Sequence, residues 1–91
     1  HWGEYGNVAI ISPQMVRKVV ELVKESGAYP FVTDTNTIYS GGRKNAIISI
    51  ETAAKNGFTR ETLGAPIIVA DGIYGMNKVV VKVDGNILNE V

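Results

Sequence analysis

Two short apolar runs of the sequence end in polar clusters. Phe31-Val32-Thr33 leads into Asp34-Thr35-Asn36-Thr37, and Ile67 to Ala70 ends in Asp71. Near the start stand His1, Glu4 and Asn7. In open α/β sheets, ligands bind outside the carboxyl ends of the strands. If a strand precedes His1, all three groups lie at strand ends and converge on one edge. Carboxylates, amides, hydroxyls and one imidazole suit a hard or borderline metal ion, or a polar small molecule. The competing reading is that Asp, Asn and Thr cap turns after strands, and both stay open. Arg43 could neutralise one carboxylate of such an edge or bind an anionic ligand bidentately.

Gly41-Gly42-Arg43-Lys44-Asn45 precedes a helical pattern. Free backbone N–H groups and two cations there could hold an anion, or form a solvated glycine loop. The spacing matches neither a phosphate-binding Walker loop nor a dinucleotide fingerprint. Trp2, Tyr5, Tyr39 and Tyr74 fall in loops, where they line a pocket or cover the core. No Ser/His/Asp arrangement is visible, and no close carboxylate pair suggests acid/base work. The chain has no cysteine and one histidine, which removes thiolate catalysis, disulfides and cysteine-ligated zinc or iron–sulfur sites from these residues.

The elements that must position these groups read as follows. Val8 to Ile11 is a short strand or an extended approach to a helix. Ser12-Pro13 starts a helix, with Ser as N-cap and Pro in the first turn. Met15, Val16, Val19, Val20, Leu22 and Val23 form its apolar side, with the Met15/Val19/Leu22 stripe expected in the core. Gly27 closes it. Tyr29 to Thr33 reads as a buried strand. A second helix runs from about Lys44 to Asn56, with Ala46, Ile47, Ile50, Ala53 and Ala54 inside. Thr59 to Leu63 is one helical turn. Ile67 to Ala70 is a strand covered on both faces. Lys78–Val83 and Ile87–Val91 flank Asp84-Gly85-Asn86, a hairpin signal. Both long helices are expected to pack on a sheet containing Phe31-Val32 and Ile67 to Val69. The fold class is α/β, a small mixed, mostly parallel sheet with two main helices and a C-terminal β-hairpin.

The chain has 91 residues, enough for a single domain. Hydrophobic residues are 45% and charged residues 20%, ordinary values for a globular domain. Nine basic residues balance nine acidic ones, which does not favour a nucleic-acid partner. No apolar run is long enough for a bilayer, so no membrane partner is expected. The start without methionine and the end inside an apolar–polar alternation suggest a piece of a larger doubly wound domain. Its partners are then the remainder of the parent chain and, through exposed strand edges, a second copy. A cytoplasmic location fits the absence of cysteine.

His1-Trp2-Gly3-Glu4-Tyr5-Gly6-Asn7, followed by Pro13-x-x-Val16, resembles an HFGE-x-GN opening. Thr33-Asp34-Thr35-Asn36-Thr37-x-Tyr39-x-Gly41-x-Arg43-x-Asn45-Ala46 resembles a TDTNTLY-x-G-x-RxNA segment. Gly57-Phe58, Ala65-Pro66 and Ile68-x-Ala70-Asp71-Gly72 complete the pattern. Nearly the whole chain is thus similar to the prokaryotic domain-of-unknown-function family 362. The resemblance implies a longer α/β protein, often with a cysteine-rich, ferredoxin-like insert carrying 4Fe-4S clusters elsewhere in the chain. This chain departs from that pattern in having no cysteine, so no cofactor is expected within it. The positions that the resemblance singles out as ligand-binding are His1, Glu4, Asn7, Asp34, Thr35, Asn36, Tyr39, Arg43, Asn45 and Asp71. The expectation is a ligand- or metal-binding portion of an iron–sulfur-associated redox or metabolic protein. The alternatives are a non-catalytic module supporting the insert, or a hydrolase or isomerase fragment with a metal on His1, Glu4 and Asp34.

Overall fold

The computed structural model describes residues 1–6, 8–39, 41–83 and 86–90. Asn7 and the turn expected at Asp84-Gly85 therefore lie outside the described residues. The order is α1 (Pro13–Glu25), β1 (Val32–Asp34), α2 (Ala46–Lys55), α3 (Arg60–Leu63), β2 (Ile67–Val69), β3 (Val79–Val83) and β4 (Asn86–Glu90). This is the expected α/β class. The strands form two sheets: β1 pairs parallel with β2, and β3 pairs antiparallel with β4. Residues 8–11 form no strand; they are the extended approach to α1.

Helix α1 begins where Ser12-Pro13 directs. Ser12 is extended, and its carbonyl accepts from Met15 N and Val16 N. Its hydroxyl bonds Gln14 instead of capping the backbone. Gly27, at φ 90°, ends the helix in the left-handed conformation. Which apolar stripe turns inward differs from expectation. Val20 is buried and Val16 and Val23 are half-buried, while Met15, Val19 and Leu22 are 60%, 54% and 52% exposed. The apolar side chains cover about half the circumference, so periodicity alone allows either stripe to face the core. Packing decides: α1 lies on α3 rather than on the strands.

Helix α2 also rotates away from the expected face. Its buried residues are Ser49, Thr52 and Ala53, while Ile47 and Ile50 are 64% and 38% exposed and Ala54 is exposed. The polar pair is tolerated inside because each member has a partner. Trp2 Nε1 donates to Ser49 Oγ at 3.1 Å, and Thr52 Oγ1 donates to the Gly42 carbonyl at 2.6 Å. Small polar side chains thus let a tryptophan and a loop close onto the helix, where isoleucines would keep them away.

Trp2, Ala53, Phe58 and Leu63 form the core, with Ile10, Val16, Val32, Ile67 and Val69 packed around them. Of the loop aromatics, Trp2 is the core member, its ring centroid 6.5 Å from that of Phe58. Val32, Asp34, Ile67 and Val69 are half-buried, whereas Thr33 and Ile68 are exposed. One face of the parallel pair is therefore uncovered among the described residues, against the expectation for the Ile67–Ala70 run. The helix expected to help cover the sheet, α1, is committed to α3 instead. No helix among the described residues is long and apolar enough to cross a membrane.

The two leucines separate these alternatives. Leu63→Ala, at a 1% exposed position, should cost about 2–5 kcal/mol in urea unfolding. Leu22→Ala should cost less than about 1 kcal/mol, since half of that side chain already meets water. Equal costs at the two sites would contradict the observed orientation of α1.

Candidate functional site

Parallel pairing brings the carboxyl ends of β1 and β2 to the same edge. The register sets Asp34 opposite Val69, and Ala70 N donates to the Asp34 carbonyl at 3.0 Å. Asp34 is thus the last residue of β1, and Asp71 follows β2 by two residues. Asn36 joins the two ends. Its backbone N–H and its Nδ2 both donate to Asp71 Oδ1, at 3.0 and 3.1 Å, and Nδ2 also donates to the Gly72 carbonyl at 2.7 Å. Two acceptors around one side-chain nitrogen fix the amide orientation. Asn36 Oδ1 is left buried with no partner among the described residues.

Asp71 is only 7% exposed, and the two Asn36 donors offset the cost of burying its carboxylate. Gly75 closes over it. At φ 75° it occupies a conformation that favours glycine, and a Cβ there would sit 3.2 Å from Asp71 Oδ2.

Around Asp34 the chain start, β1 and the glycine loop meet. Asp34 Oδ1 accepts from Thr35 N at 2.8 Å, and Oδ2 accepts from Trp2 N at 3.2 Å and from Arg43 Nη1 at 3.3 Å. Arg43 Nη2 donates to the Tyr39 hydroxyl at 2.8 Å. Its Nε lies 3.6 Å from Glu4 Oε1, an ion pair too long to be a hydrogen bond. Glu4 Oε2 accepts from Gly42 N at 2.7 Å. Burial alone would lower the Arg43 pKa, but the hydrogen bonds and charge attraction of Tyr39 and Asp34 outweigh it and hold it above the ordinary value. The guanidinium therefore stays charged wherever the protein folds.

Gly42 must be glycine for packing reasons. A Cβ there would overlap the Glu4 carboxylate and stand 2.7 Å from Thr52 Oγ1. The loop read as an anion cradle thus already holds an anion of its own, the Glu4 side chain. Asn56 Nδ2 secures the chain start by donating to the carbonyls of Trp2 at 2.8 Å and Glu4 at 3.0 Å.

The structure brings Glu4, Asp34, Thr35, Asn36, Tyr39, Arg43 and Asp71 onto one edge. Arg43 sits as the neutraliser of Asp34 and Glu4 rather than as a free anion ligand. Asn45 has a local role: it is the N-cap of α2, accepting from Ile48 N at 3.0 Å. His1 is exposed, and no three His, Asp or Glu groups converge with metal-ligand geometry among the described residues. Sequence reasoning missed Trp2 N, Ser49, Thr52 and Asn56 as positioning groups. Ser49 and Asn56 meet Trp2 across 47 and 54 positions of chain, a pairing that no local spacing signals. A separate depression of about 350 Å³, floored by Ile50, Ala54, Phe58 and Ile67, opens between α2 and β2 and shares no residue with the polar edge.

A family model described as Domain of unknown function (DUF362) matches residues 1–91. No curated protein and no solved structure matches the chain.

Removing Arg43 leaves two carboxylates without their shared cation, Asp34 among them at 12% exposure. Arg43→Met should destabilise by about 3 kcal/mol or more. Adding Asp34→Asn to that variant should recover part of the loss in a double-mutant cycle. Fully additive losses would show that the pair is not coupled.

Proposed function

The chain belongs to the DUF362 family, and on that premise we propose that it is the ligand-binding α/β portion of an iron–sulfur-associated redox or metabolic protein. In this reading a small polar molecule binds at the edge where β1 and β2 end. The observation that carries it is the Asn36 tie to Asp71 and Gly72, which makes one edge of two strand ends 35 residues apart. Turn-capping residues need only local partners; this contact is long-range, and a nearly buried carboxylate is retained to make it.

The chemistry of the ligand follows from what the edge leaves over. Glu4, Asp34 and Asp71 oppose one guanidinium, so the edge carries an excess of negative charge. Of the three buried side-chain atoms without a hydrogen bond among the described residues, Glu4 Oε1 answers Arg43 Nε in an ion pair, which leaves the acceptor Asn36 Oδ1. A ligand rich in N–H or O–H donors, such as an amine or a polyol, matches that remainder.

Iron–sulfur clusters do not fit these residues, because the chain has no thiolate to ligate them. In this reading they belong to another part of the protein, and no step of binding here runs through them. The hydrolase or isomerase alternative has less support, since His1, Glu4 and Asp34 do not gather as a ligand set. The interaction-module alternative has one observation in its favour, the exposed Met15/Val19/Leu22 stripe of α1.

The test is a library of amines, amino acids and polyols screened against the chain by saturation-transfer NMR. Binders should lose about tenfold or more in affinity to Asp71→Asn, because that change weakens the Asn36 tie that holds the two strand ends together. They should bind Ile50→Ala, a change in the apolar depression, unchanged. A library without binders, or binders indifferent to Asp71→Asn, would contradict the proposal.

A further inference from the structure

The apolar stripe that α1 turns to solvent has a pattern of its own. Met15, Val19 and Leu22 are spaced four and three residues apart, the spacing of a coiled-coil seam, and each is more than half exposed. With Val19 and Leu22 as alternating seam positions, Val16 and Val23 fall on the flank that is packed into the protein. The open flank carries Lys18 and Glu25, one heptad apart and both exposed.

We propose that this stripe binds a second copy of the chain through an antiparallel α1–α1 pairing about a two-fold axis. Charge complementarity selects that occupant and that direction. In an antiparallel pair, equivalent flanks face each other: when Val19 of one copy meets Leu22 of the other, Lys18 of one copy stands opposite Glu25 of the other. The two-fold axis makes that contact twice. A parallel pair would set Lys18 against the Val23 flank, which is already packed within each copy, and would form neither contact. Lys18 is available for the exchange, because its side chain is 68% exposed and among the described residues its ion pair is a 4.0 Å approach to Glu21. The seam consists of one 13-residue helix from each copy, so the buried area falls below the roughly 1,200–2,000 Å² of stable complexes and the dimer is weak.

The surface is distinct from the edges of the β1–β2 pair, which no other strand among the described residues covers, and the test separates the two. Sedimentation equilibrium of the 91-residue chain should show a reversible dimer as its concentration rises toward the order of 1 mM. Lys18→Glu and Glu25→Lys each turn two attractive contacts into repulsive ones, and each should raise the dissociation constant about five- to tenfold. An equimolar mixture of the two variants should regain the wild-type affinity. In the mixed dimer the introduced glutamate of one copy faces the introduced lysine of the other, and the unchanged Glu25 faces the unchanged Lys18. Val19→Lys, at a position more than half exposed, should abolish the dimer while leaving the circular dichroism unchanged.

A monomer at every concentration would overturn the proposal and assign the stripe to some other partner. Association that ignores the charge variants, or that the mixture fails to restore, would overturn it in favour of strand-edge pairing.

Discussion

One guanidinium organises this chain. Arg43 reaches Asp34 at the end of β1, Tyr39 in the loop that follows, and Glu4 near the start of the chain. Its side chain is 11% exposed. A charge so nearly buried is expensive unless opposite charges and hydrogen bonds surround it. The loop from Asp34 to Asn45 cannot move without exposing or orphaning one of these groups, so the constraint fixes the path of the loop. It also fixes the chain start, because Glu4 is held by the same loop through Gly42 N. The polar edge is thus a consequence of charge pairing as much as of sheet topology.

The second constraint is the polar inner surface of α2. Ser49 and Thr52 would ordinarily weaken a core. Here they take the indole N–H of Trp2 and the carbonyl of Gly42 as partners. Trp2 joins core to edge: its ring packs on Phe58, and its backbone N–H donates to Asp34. The cost of this arrangement is visible outside. Ile47 and Ile50 of α2 and one stripe of α1 remain on the surface, where a chain optimised only for burial would not leave them.

Much of the local structure was legible from the residues. Ser12-Pro13, Gly27 and Thr59 punctuate the helices through backbone chemistry that acts within a few positions, and the helices stop and start there. The two polar clusters after β1 and β2 were legible for the same reason, since strand ends are where an apolar run stops. Helix orientation was not. On α1 the apolar side is broad enough to admit two stripes, and on α2 hydrophobicity points to isoleucines while hydrogen bonding selects Ser49 and Thr52. Both choices depend on partners far along the chain, Leu63 and Phe58 in the core and Trp2 at the start, which local pattern does not carry. Asn45 shows the converse limit: grouped with the site by resemblance, it does the local work of a helix cap.

The central claim is that the ends of β1 and β2 form a single edge held by Asn36, and its most direct test is the side-chain amide of that residue. In a ¹⁵N-edited NMR spectrum the Asn36 Nδ2 protons should exchange slowly and show cross-peaks to Gly72, because Nδ2 donates to both Asp71 and the Gly72 carbonyl. An Asn36 amide that exchanges like an exposed one and shows no contact with Gly72 would contradict the account.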